Sequence, residues 1–166
     1  MRYASPLGEI LLAADEVGLT GLWFYGAKYF ADSLPKEHTE QRTAVLEQAE
    51  KWLDIYFGGI EPNFTPPLHP SGSDFQLEVW DILLTIPYGK TVTYSEIAHK
   101  LAEKSGTAKM SAQAVGGAVG HNRISLIIPC HRVIGANGEL TGYAGGIDKK
   151  ATLLALEKGR GHHNSV

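Results

Sequence analysis

The sequence has 166 residues and only one cysteine, Cys130. A single cysteine cannot close an intrachain disulfide and cannot supply the cysteine pair of a zinc site. Both kinds of crosslink are therefore excluded, and no metal is expected. A lone thiol is then either a small buried apolar group or a reactive nucleophile.

Long hydrophobic runs are missing as well. No segment holds 18 consecutive apolar residues, and the N-terminus has no basic stretch followed by an apolar leader. We therefore expect a cytoplasmic protein that does not bind a membrane, and reducing surroundings would keep the thiol of Cys130 free. With 43% hydrophobic and 20% charged residues, the chain can bury a core in one domain or two small ones. Collagen-like, coiled-coil and disordered chains are excluded.

An excess of positive charge is lacking over the whole chain, whose formal net charge is -3. The charge is unevenly distributed, because residues 1–87 carry 5 Lys and Arg against 13 Asp and Glu, and residues 88–166 carry 10 against 5. The two parts therefore have formal charges of -8 and +5. This asymmetry is typical of a protein that docks an acidic partner on its basic part, and it is equally compatible with two solvated faces and no partner.

Residues 1–73 have the pattern of a small α/β domain. Residues 9–14 and 19–25 are strand-like and are separated by turn residues, which predicts a β-hairpin in an antiparallel sheet. Residues 44–57 predict a helix with one apolar face. That face is formed by Val45, Ala49, Trp52, Leu53 and Tyr56. Residues 58–73 contain four prolines among Gly and Ser, which predicts a linker at the end of this domain.

The second predicted domain, residues 74–166, begins with two helices. Apolar spacing predicts the first helix, which starts at about Phe75 and ends at Pro87, before a turn over residues 88–90. Thr93 and Glu96 have the spacing of a capping box, the side-chain pair that opens a helix. They predict a second helix over about residues 94–102.

The third predicted helix, residues 112–119 with Ser111 as its N-cap, follows after a short break, so that the pair outlines a helix-turn-helix. Its composition is unusual, because it contains Gly116 and Gly117, and each glycine in a helix interior costs about 1 kcal/mol. Small residues let a helix approach either a neighbouring helix or a nucleic-acid groove. The spacing alone favours packing on a helix.

A β-hairpin and a final helix complete the predicted fold. Residues 126–128 and 133–134 are apolar and predict two strands, and Asn137-Gly138 is typical of a type I′ hairpin turn. A hairpin after a helix-turn-helix resembles a wing. The last helix is predicted to start at residue 147 and to stop near Gly159.

Several side chains near Cys130 can activate a thiol. A thiolate needs a nearby imidazole, cation or helix N-terminus, and His131 follows Cys130 directly. Adjacent side chains on an extended segment point apart, so their contact requires a turn or an intervening water. Glu157 is a candidate to orient the imidazole, and Asn122 is a candidate to join the third helix to the Cys130 segment. The alternatives are a buried structural cysteine, a solvated glutamate and a plain helix cap.

The hexad Ile128-Pro129-Cys130-His131-Arg132-Val133 resembles the active-site motif of the methylated-DNA–protein-cysteine methyltransferases, also called O6-alkylguanine-DNA alkyltransferases. Other segments match this family in order and spacing over nearly the whole chain. They are Ser5-Pro6-Leu7-Gly8, Gly21-Leu22-Trp23-Phe24, Thr91-Val92-Thr93-Tyr94, Ala114-Val115-Gly116-Gly117-Ala118, Asn122, Gly142-Tyr143-Ala144-Gly145-Gly146 and Leu154-Ala155-Leu156-Glu157. The resemblance implies an α/β (α+β) N-terminal domain with a small antiparallel, ribonuclease H-like sheet. A mostly helical winged helix-turn-helix C-terminal domain would follow it.

The resemblance also implies an activity, that of a self-inactivating cysteine S-methyltransferase that reverses DNA damage. Such a protein flips O6-alkylguanine out of duplex DNA and moves the alkyl group to a cysteine in one irreversible step, and O4-alkylthymine is a further candidate substrate. Cys130 would be the acceptor, His131 a base acting through a water, and Glu157 the group that polarises it. Asn122 would orient the thiol, and Tyr94 would donate a proton or hydrogen bond to the leaving guanine.

The family's binding residues can be placed on this chain in the same way. The third helix would enter the minor groove of double-stranded DNA containing alkylated bases, with contacts from Ala112, Gln113, Ala114, Gly116 and Gly117. The substrate pocket would be formed by Tyr94, Ile128, Pro129, Val133, Tyr143, Ala144 and Gly145. Arg132 would have a structural role. The resemblance implies a monomer that needs no cofactor.

Three positions depart from the family pattern. Gln113 stands where an arginine often inserts into the base stack, so we expect intact activity with weaker duplex binding. Arg123 stands where a proline is common, and Ala144 stands where some members have serine, which leaves only backbone donors there.

Three alternative functions explain parts of the sequence. The first is a lesion-recognition DNA-binding protein without repair activity, and the presence of Cys130 argues against it. The second is a winged-helix transcription regulator, which gives the Pro-Cys-His-Arg segment no role. The third is a cysteine hydrolase, and the helix of small residues argues against it.

Overall fold

The computed structural model describes residues 1–106 and 110–164, with side chains described up to residue 159. The elements in chain order are β1 (Arg2–Ser5), β2 (Gly8–Ala14), β3 (Leu19–Phe24), α1 (Ala44–Phe57), α2 (Asp74–Leu83), β4 (Val92–Thr93), α3 (Tyr94–Ser105), α4 (Ala112–Gly120), a 3₁₀ turn (Cys130–Arg132), β5 (Val133–Ile134) and α5 (Ile147–Asn164). Part of the predicted break before α4, residues 107–109, lies outside the described residues, as do residues 165–166 of the tail.

The first three strands form an antiparallel sheet in chain order. Between β2 and β3, Ile10 pairs with Phe24 and Leu12 with Leu22, and all four side chains are buried. The predicted hairpin is therefore confirmed. Strand β1 is absent from the sequence prediction because its residues are exposed or only half-buried and give no strong alternation of apolar and polar positions.

Helix α1 packs on this sheet and has the predicted bounds. It is capped by Thr43, whose side chain accepts a hydrogen bond from the amide of Leu46. The buried face comprises Leu46, Ala49, Trp52, Leu53 and Tyr56. Leu46 therefore takes the fully buried position that the sequence pattern assigns to Val45, which is only half-buried.

The proline-rich segment 58–73 contains no helix or strand, as predicted. It is nevertheless held against the N-terminal sheet, because the amide of Leu19 donates to the carbonyl of Pro67 at 2.7 Å and the amide of His69 donates to the carbonyl of Leu19 at 2.7 Å. The segment therefore runs along β3 before it enters α2.

Helices α2, α3 and α4 pack on one another and form the helical part of the C-terminal half. The predicted capping box at the start of α3 is present, with the side chains of Thr93 and Glu96 each accepting a hydrogen bond from the other residue's amide. Helix α3 extends three residues beyond the predicted end, to Ser105, and ends at Gly106, whose φ of +74° is left-handed. The predicted cap of α4 is also present, since the Ser111 side chain accepts from the amide of Ala114.

The strand predicted for residues 126–128 is wrong. These residues form a compact turn in which Leu126 has a φ of +72°, and the amide of Ile128 donates to the carbonyl of Ile124 at 3.1 Å. All three side chains of the turn are buried. An apolar run indicates burial, and in this segment the buried backbone is folded back on itself instead of extended.

The predicted hairpin wing is also wrong in its pairing. Strand β5 pairs in parallel with β4, Val92 lying opposite Val133, so its partner comes from the segment before α3. A turn does occur at Asn137-Gly138, closed by a hydrogen bond from the amide of Gly138 to the carbonyl of Gly135. Only Gly138 of that pair has a positive φ, whereas a type I′ turn needs two.

The last helix, α5, continues through Gly159 to Asn164, so the predicted stop near Gly159 is wrong. Glycine ends a helix when it adopts a left-handed conformation, and Gly159 is not among the glycines with positive φ. Among the described residues, no helix is both long and apolar enough to cross a membrane.

Candidate active site

The site is built around a tight turn that carries Cys130. The amide of Cys130 donates to the carbonyl of Ile128 at 2.8 Å, the amide of Arg132 donates to the carbonyl of Pro129 at 3.0 Å, and the amide of Val133 donates to the carbonyl of Cys130. Because residues 130–132 form one turn of 3₁₀ helix and not an extended strand, the neighbouring side chains fan out instead of alternating.

Asn122 ties this turn to the end of α4. Its side-chain amide donates to the carbonyl of Ile128 at 2.7 Å, and its side-chain oxygen accepts from the amide of Ile124 at 3.0 Å. Asn122 also makes a hydrogen bond with Cys130 that favours the thiolate. One buried amide therefore fixes both the backbone before the cysteine and the thiol itself.

Cys130 is buried, with 6% of its surface exposed. Burial raises the pKa of its thiol, and the hydrogen bond with Asn122 and the charge of Lys150 oppose part of that rise. The thiol therefore needs a proton acceptor before it can act as a nucleophile at neutral pH.

Glu157, on α5, is the centre of a buried polar cluster. Its Oε2 lies 2.6 Å from Nε2 of His131 and accepts a hydrogen bond from the hydroxyl of Tyr56 at 2.7 Å. Its Oε1 accepts from Nε of Arg132 at 2.9 Å and from the amide of Gly89 at 2.9 Å. Both carboxylate oxygens thus accept hydrogen bonds from the protein, which makes burial of the charge tolerable.

The charges of this cluster favour an ionised glutamate beside a neutral histidine. Burial would raise the pKa of Glu157, but the hydrogen bond from His131 and the charge and hydrogen bond of Arg132 outweigh it and lower that pKa to about 2. Burial lowers the pKa of His131 despite the opposing influence of Glu157. A neutral imidazole that donates from Nε2 to a carboxylate keeps a lone pair on Nδ1.

The other ring nitrogen of His131, Nδ1, is buried and has no hydrogen-bond partner among the described residues. A buried imidazole nitrogen rarely stays unpaired, and a bound water or a reacting group commonly fills such a position. His131 is therefore oriented through Nε2, and Nδ1 is the ring nitrogen that can accept a proton.

Arg132 connects Glu157 to the segment that follows α2. Its Nε and Nη2 donate to Oε1 and Oε2 of Glu157 at 2.9 and 3.2 Å. Its Nη1 donates to the carbonyl of Ile86 at 2.7 Å, and its guanidinium lies over the ring of Tyr88 at 5.6 Å. These contacts join α5 to the segment that follows α2.

Tyr94 lies at the start of α3 and faces the loop before α5. Its hydroxyl donates to the carbonyl of Thr141 at 3.1 Å, and the same carbonyl accepts from Nζ of Lys150 at 2.7 Å. Half of the Tyr94 side chain is buried, and burial raises its pKa. The phenol is thus protonated and able to donate.

The remaining residues of the predicted pocket surround the turn and the loop 142–146. Those that are fully buried are Ile128, Pro129, Val133 and Tyr143, whereas Ala144 and Gly145 are half-buried. The carbonyl of Ala144 accepts from the amide of Lys28 at 3.0 Å, which connects this loop to the N-terminal half. A Cβ on Gly145 would meet the Tyr143 ring at 2.8 Å and the Phe24 ring at 3.3 Å, so only glycine fits there.

Helix α4 presents its small residues outward. Ala112, Gln113, Ala114 and Gly117 are exposed, while the buried face is formed by Val115, Ala118 and Val119. A Cβ on Gly117 would meet no heavy atom within 4 Å, and one on Gly116 would only touch the Tyr94 ring at 3.8 Å. Packing against a neighbouring helix, which the spacing favours, is therefore not the reason for these glycines.

Sequence reasoning missed Tyr56 and Lys150. Tyr56 is predicted only as a core residue of α1, and nothing in the sequence indicates that its hydroxyl reaches Glu157 across 101 positions. Lys150 belongs to a run of two lysines that reads as a solvated helix start, yet its side chain is 1% exposed. Among the described residues, no group of three or more His, Cys, Asp or Glu side chains has an arrangement that could hold a metal ion.

Two family models match consecutive parts of the chain. Residues 2–70 match the ribonuclease-like domain of 6-O-methylguanine DNA methyltransferase, and residues 74–159 match the DNA-binding domain of the same enzyme.

Similar proteins cover nearly the whole chain. A methylated-DNA–protein-cysteine methyltransferase of Methanosarcina acetivorans is 46% identical over 155 residues, which are 93% of this chain and 95% of that protein. One of Mycobacterium tuberculosis is 44% identical over 94% of this chain and 90% of that protein. The crystal structure of the Mycobacterium tuberculosis OGT in complex with DNA superposes with a TM-score of 0.81 at 43% identity, over 96% of this chain and 92% of that one.

Proposed function

This chain belongs to the family of methylated-DNA–protein-cysteine methyltransferases, and on that premise we propose that Cys130 is the residue that accepts the alkyl group. The protein is a DNA repair methyltransferase that acts on O6-alkylguanine in DNA and transfers the alkyl group to a cysteine of its own. Cys130 is the only cysteine in the sequence, so no other thiol can take this role.

One observation carries the proposed mechanism, namely that His131 is fixed by Glu157 at Nε2, while its Nδ1 has no hydrogen-bond partner within the part of the chain that the structure describes. A water placed between Nδ1 and the Cys130 thiol would accept the thiol proton and pass a proton to the imidazole. The ionised carboxylate of Glu157 would stabilise the imidazolium that results. Asn122 would keep the sulfur aimed into the pocket through its hydrogen bond.

The transfer step then balances without a cofactor. The thiolate supplies the electron pair of the new S–C bond, and the pair of the broken C–O6 bond stays with the guanine. The guanine takes one proton from a donor in the pocket, and Tyr94 is the candidate donor because its phenol is protonated and faces the loop of the pocket. The thioether that forms has no good leaving group, so each protein molecule reacts once.

The outward face of α4 is the proposed contact with DNA. A helix without bulky side chains on its exposed face can lie deep in the minor groove, and Ala112, Ala114 and Gly117 form such a face. The alkylated base would then be flipped into the pocket beside Cys130. The side chain of Gln113 would occupy the gap that the flipped base leaves in the base stack. Its amide can form hydrogen bonds there but carries no charge.

The domain division and the location belong to the same proposal. We place the boundary between residues 73 and 74, because Ser73 is the N-cap of α2 and the preceding segment has no regular structure. A cytoplasmic location is proposed because the acceptor thiol must stay reduced. The alternatives, namely lesion recognition without repair, transcription regulation and cysteine hydrolysis, receive no support from the similar proteins.

The test is the mass of the intact protein after incubation with duplex DNA containing O6-methylguanine. We expect a gain of one methylene on Cys130 that saturates at one equivalent of DNA lesion. No gain for the wild-type protein would refute the proposed function.

The matched control is Cys130→Ser, which has nearly the same volume. It should bind the same duplex and gain no mass, because an alcohol in this site is too weakly acidic to form the nucleophile. An equal mass gain in this variant would mean that another residue accepts the methyl group.

A further inference from the structure

Lys150 is a buried cation that the proposed mechanism leaves unexplained. Lys150 is 1% exposed. It lies in the first turn of α5, where its amide donates to the carbonyl of Gly146. Among the described residues its ammonium contacts no carboxylate, and its one hydrogen bond runs to the carbonyl of Thr141 at 2.7 Å. A buried ammonium without an anionic partner destabilises a fold, so such a residue is a candidate for a functional role.

The carbonyl of Thr141 accepts two hydrogen bonds, and the second comes from the hydroxyl of Tyr94 at 3.1 Å. An O–H···O hydrogen bond is ordinarily about 2.7–2.8 Å long, so the bond from Tyr94 is a long one. An ammonium on the same oxygen withdraws electron density from it and makes it a poorer acceptor for a second donor. Lys150 therefore weakens the hold of Thr141 on the Tyr94 hydroxyl.

We propose that Lys150 is a positioning residue for alkyl transfer, which holds the Thr141 carbonyl so that Tyr94 can leave it and donate to the departing guanine. The inference rests on the proposed function, since it assumes that Tyr94 donates to the base. With Lys150 in place, the carbonyl keeps a buried partner after Tyr94 turns away, and the loop before α5 stays where it is. Without Lys150, release of Tyr94 would leave the Thr141 carbonyl without either of its two protein partners, and the loop would lose its tie to α5.

The same charge favours the product of the donation. When the O–H bond of Tyr94 breaks, its proton goes to the guanine and its electron pair remains on the phenolate oxygen. The ammonium of Lys150 is the cation held on the shared carbonyl, and it stabilises this negative charge until solvent returns a proton. The titratable groups that interact with Lys150 are Cys130 and His131, and Tyr143 interacts with Cys130.

The test compares single-turnover methyl transfer from an O6-methylguanine duplex by the wild-type protein and by Lys150→Met. We expect a loss of roughly 10- to 100-fold in the transfer rate constant, the order of magnitude of a general acid. Because the charge of Lys150 also favours the Cys130 thiolate, the rate of alkylation by iodoacetamide is measured at the same pH. The fold-loss in the transfer rate constant is divided by the fold-loss in the alkylation rate. The quotient is the fold-loss in transfer that does not arise from the thiol, and the proposal assigns it to Tyr94.

The double variant with Tyr94→Phe separates a specific role from a structural one. In that background no phenol is available, so Lys150→Met should lower the corrected transfer rate by less than roughly threefold. An equal loss in both backgrounds would overturn the proposal, as would wild-type transfer by Lys150→Met. Absence of transfer by the wild-type protein would instead overturn the proposed function.

Two further variants test whether the effect is specific to position 150 and whether it requires the charge. Lys149→Met removes the same charge from the neighbouring, half-buried position and should transfer at the wild-type rate. Lys150→Gln can still donate to Thr141 without a charge, so it should fold and bind duplex DNA like the wild type while transferring more slowly. Wild-type transfer by Lys150→Gln would show that the charge has no part in the reaction.

Discussion

Nε2 of His131 lies 2.6 Å from Oε2 of Glu157, and both side chains are completely buried. His131 is part of the turn that carries Cys130, whereas Glu157 is on α5, 26 positions later. A residue of α5 therefore sets the orientation of the imidazole that follows the reactive thiol. The pKa of Glu157 therefore depends on how α5 packs against the turn that carries Cys130.

Glu157→Gln should destabilise the protein by about 3–5 kcal/mol near neutral pH, because it leaves the guanidinium of Arg132 buried without its anionic partner. The folded pKa of Glu157 is about 2, below its ordinary value of 4.5. Its contribution is therefore fully present above pH 4.5 and is lost as the pH falls towards 2. Urea unfolding from pH 7 to pH 2 should show the difference between the two proteins shrinking in this window, and a constant difference would contradict the ionised state.

The same substitution should change the reactivity of the thiol. Without the carboxylate, an imidazolium at His131 loses its stabilising partner, so the pKa of Cys130 should rise. The rate of alkylation by iodoacetamide, followed against pH, reports that pKa. Glu103→Gln, at an exposed position on α3, is the matched control. An unchanged profile for Glu157→Gln would remove Glu157 from the relay.

Substitutions of Gly117 should separate stability from DNA binding. No atom obstructs a side chain there, so Gly117→Ala should stabilise the fold by about 0.5–1 kcal/mol through the helix propensity of alanine. Gly117→Leu should also fold, yet its bulk would hold the phosphates away and abolish transfer to duplex DNA. Thermal unfolding and single-turnover transfer measure the two effects.

Gly159→Ala on α5, where a Cβ would also meet nothing within 4 Å, is the control for Gly117→Ala because it adds the same methyl group to a different helix. It should leave transfer unchanged. Normal repair by Gly117→Leu would refute the contact between α4 and the groove. Iodoacetamide alkylation of Gly117→Leu should stay at the wild-type rate, which excludes damage to the thiol site.

Gln113→Arg should tighten binding to duplex DNA. Gln113 is exposed on α4, and a guanidinium there would add one phosphate contact or fill the base stack with a charged group. The slope of log Kd against log salt should become steeper by up to about 0.9. Gln113→Glu is the opposite control and should weaken binding. An unchanged salt dependence in Gln113→Arg would place this residue away from the DNA.

Local signals in the sequence predicted most of the elements correctly. The capping box of Thr93 and Glu96, the cap at Ser111 and the alternation in β2 and β3 each involve residues a few positions apart, whose interactions the local backbone conformation decides. The segment 126–128 shows the limit of such signals. Its apolar side chains report burial, and a left-handed Leu126 cannot be read from an apolar run.

The sequence by itself determined that one thiol is available, that it is followed by histidine and arginine, and that a helix of small residues precedes it. It could not determine that Tyr56 and Glu157 meet, that β4 pairs with β5, or that Lys150 is buried against Thr141. Those relationships join residues 9 to 101 positions apart, and they depend on how helices and loops pack. Packing is decided by the burial of many side chains at once, and no single segment of the sequence specifies it.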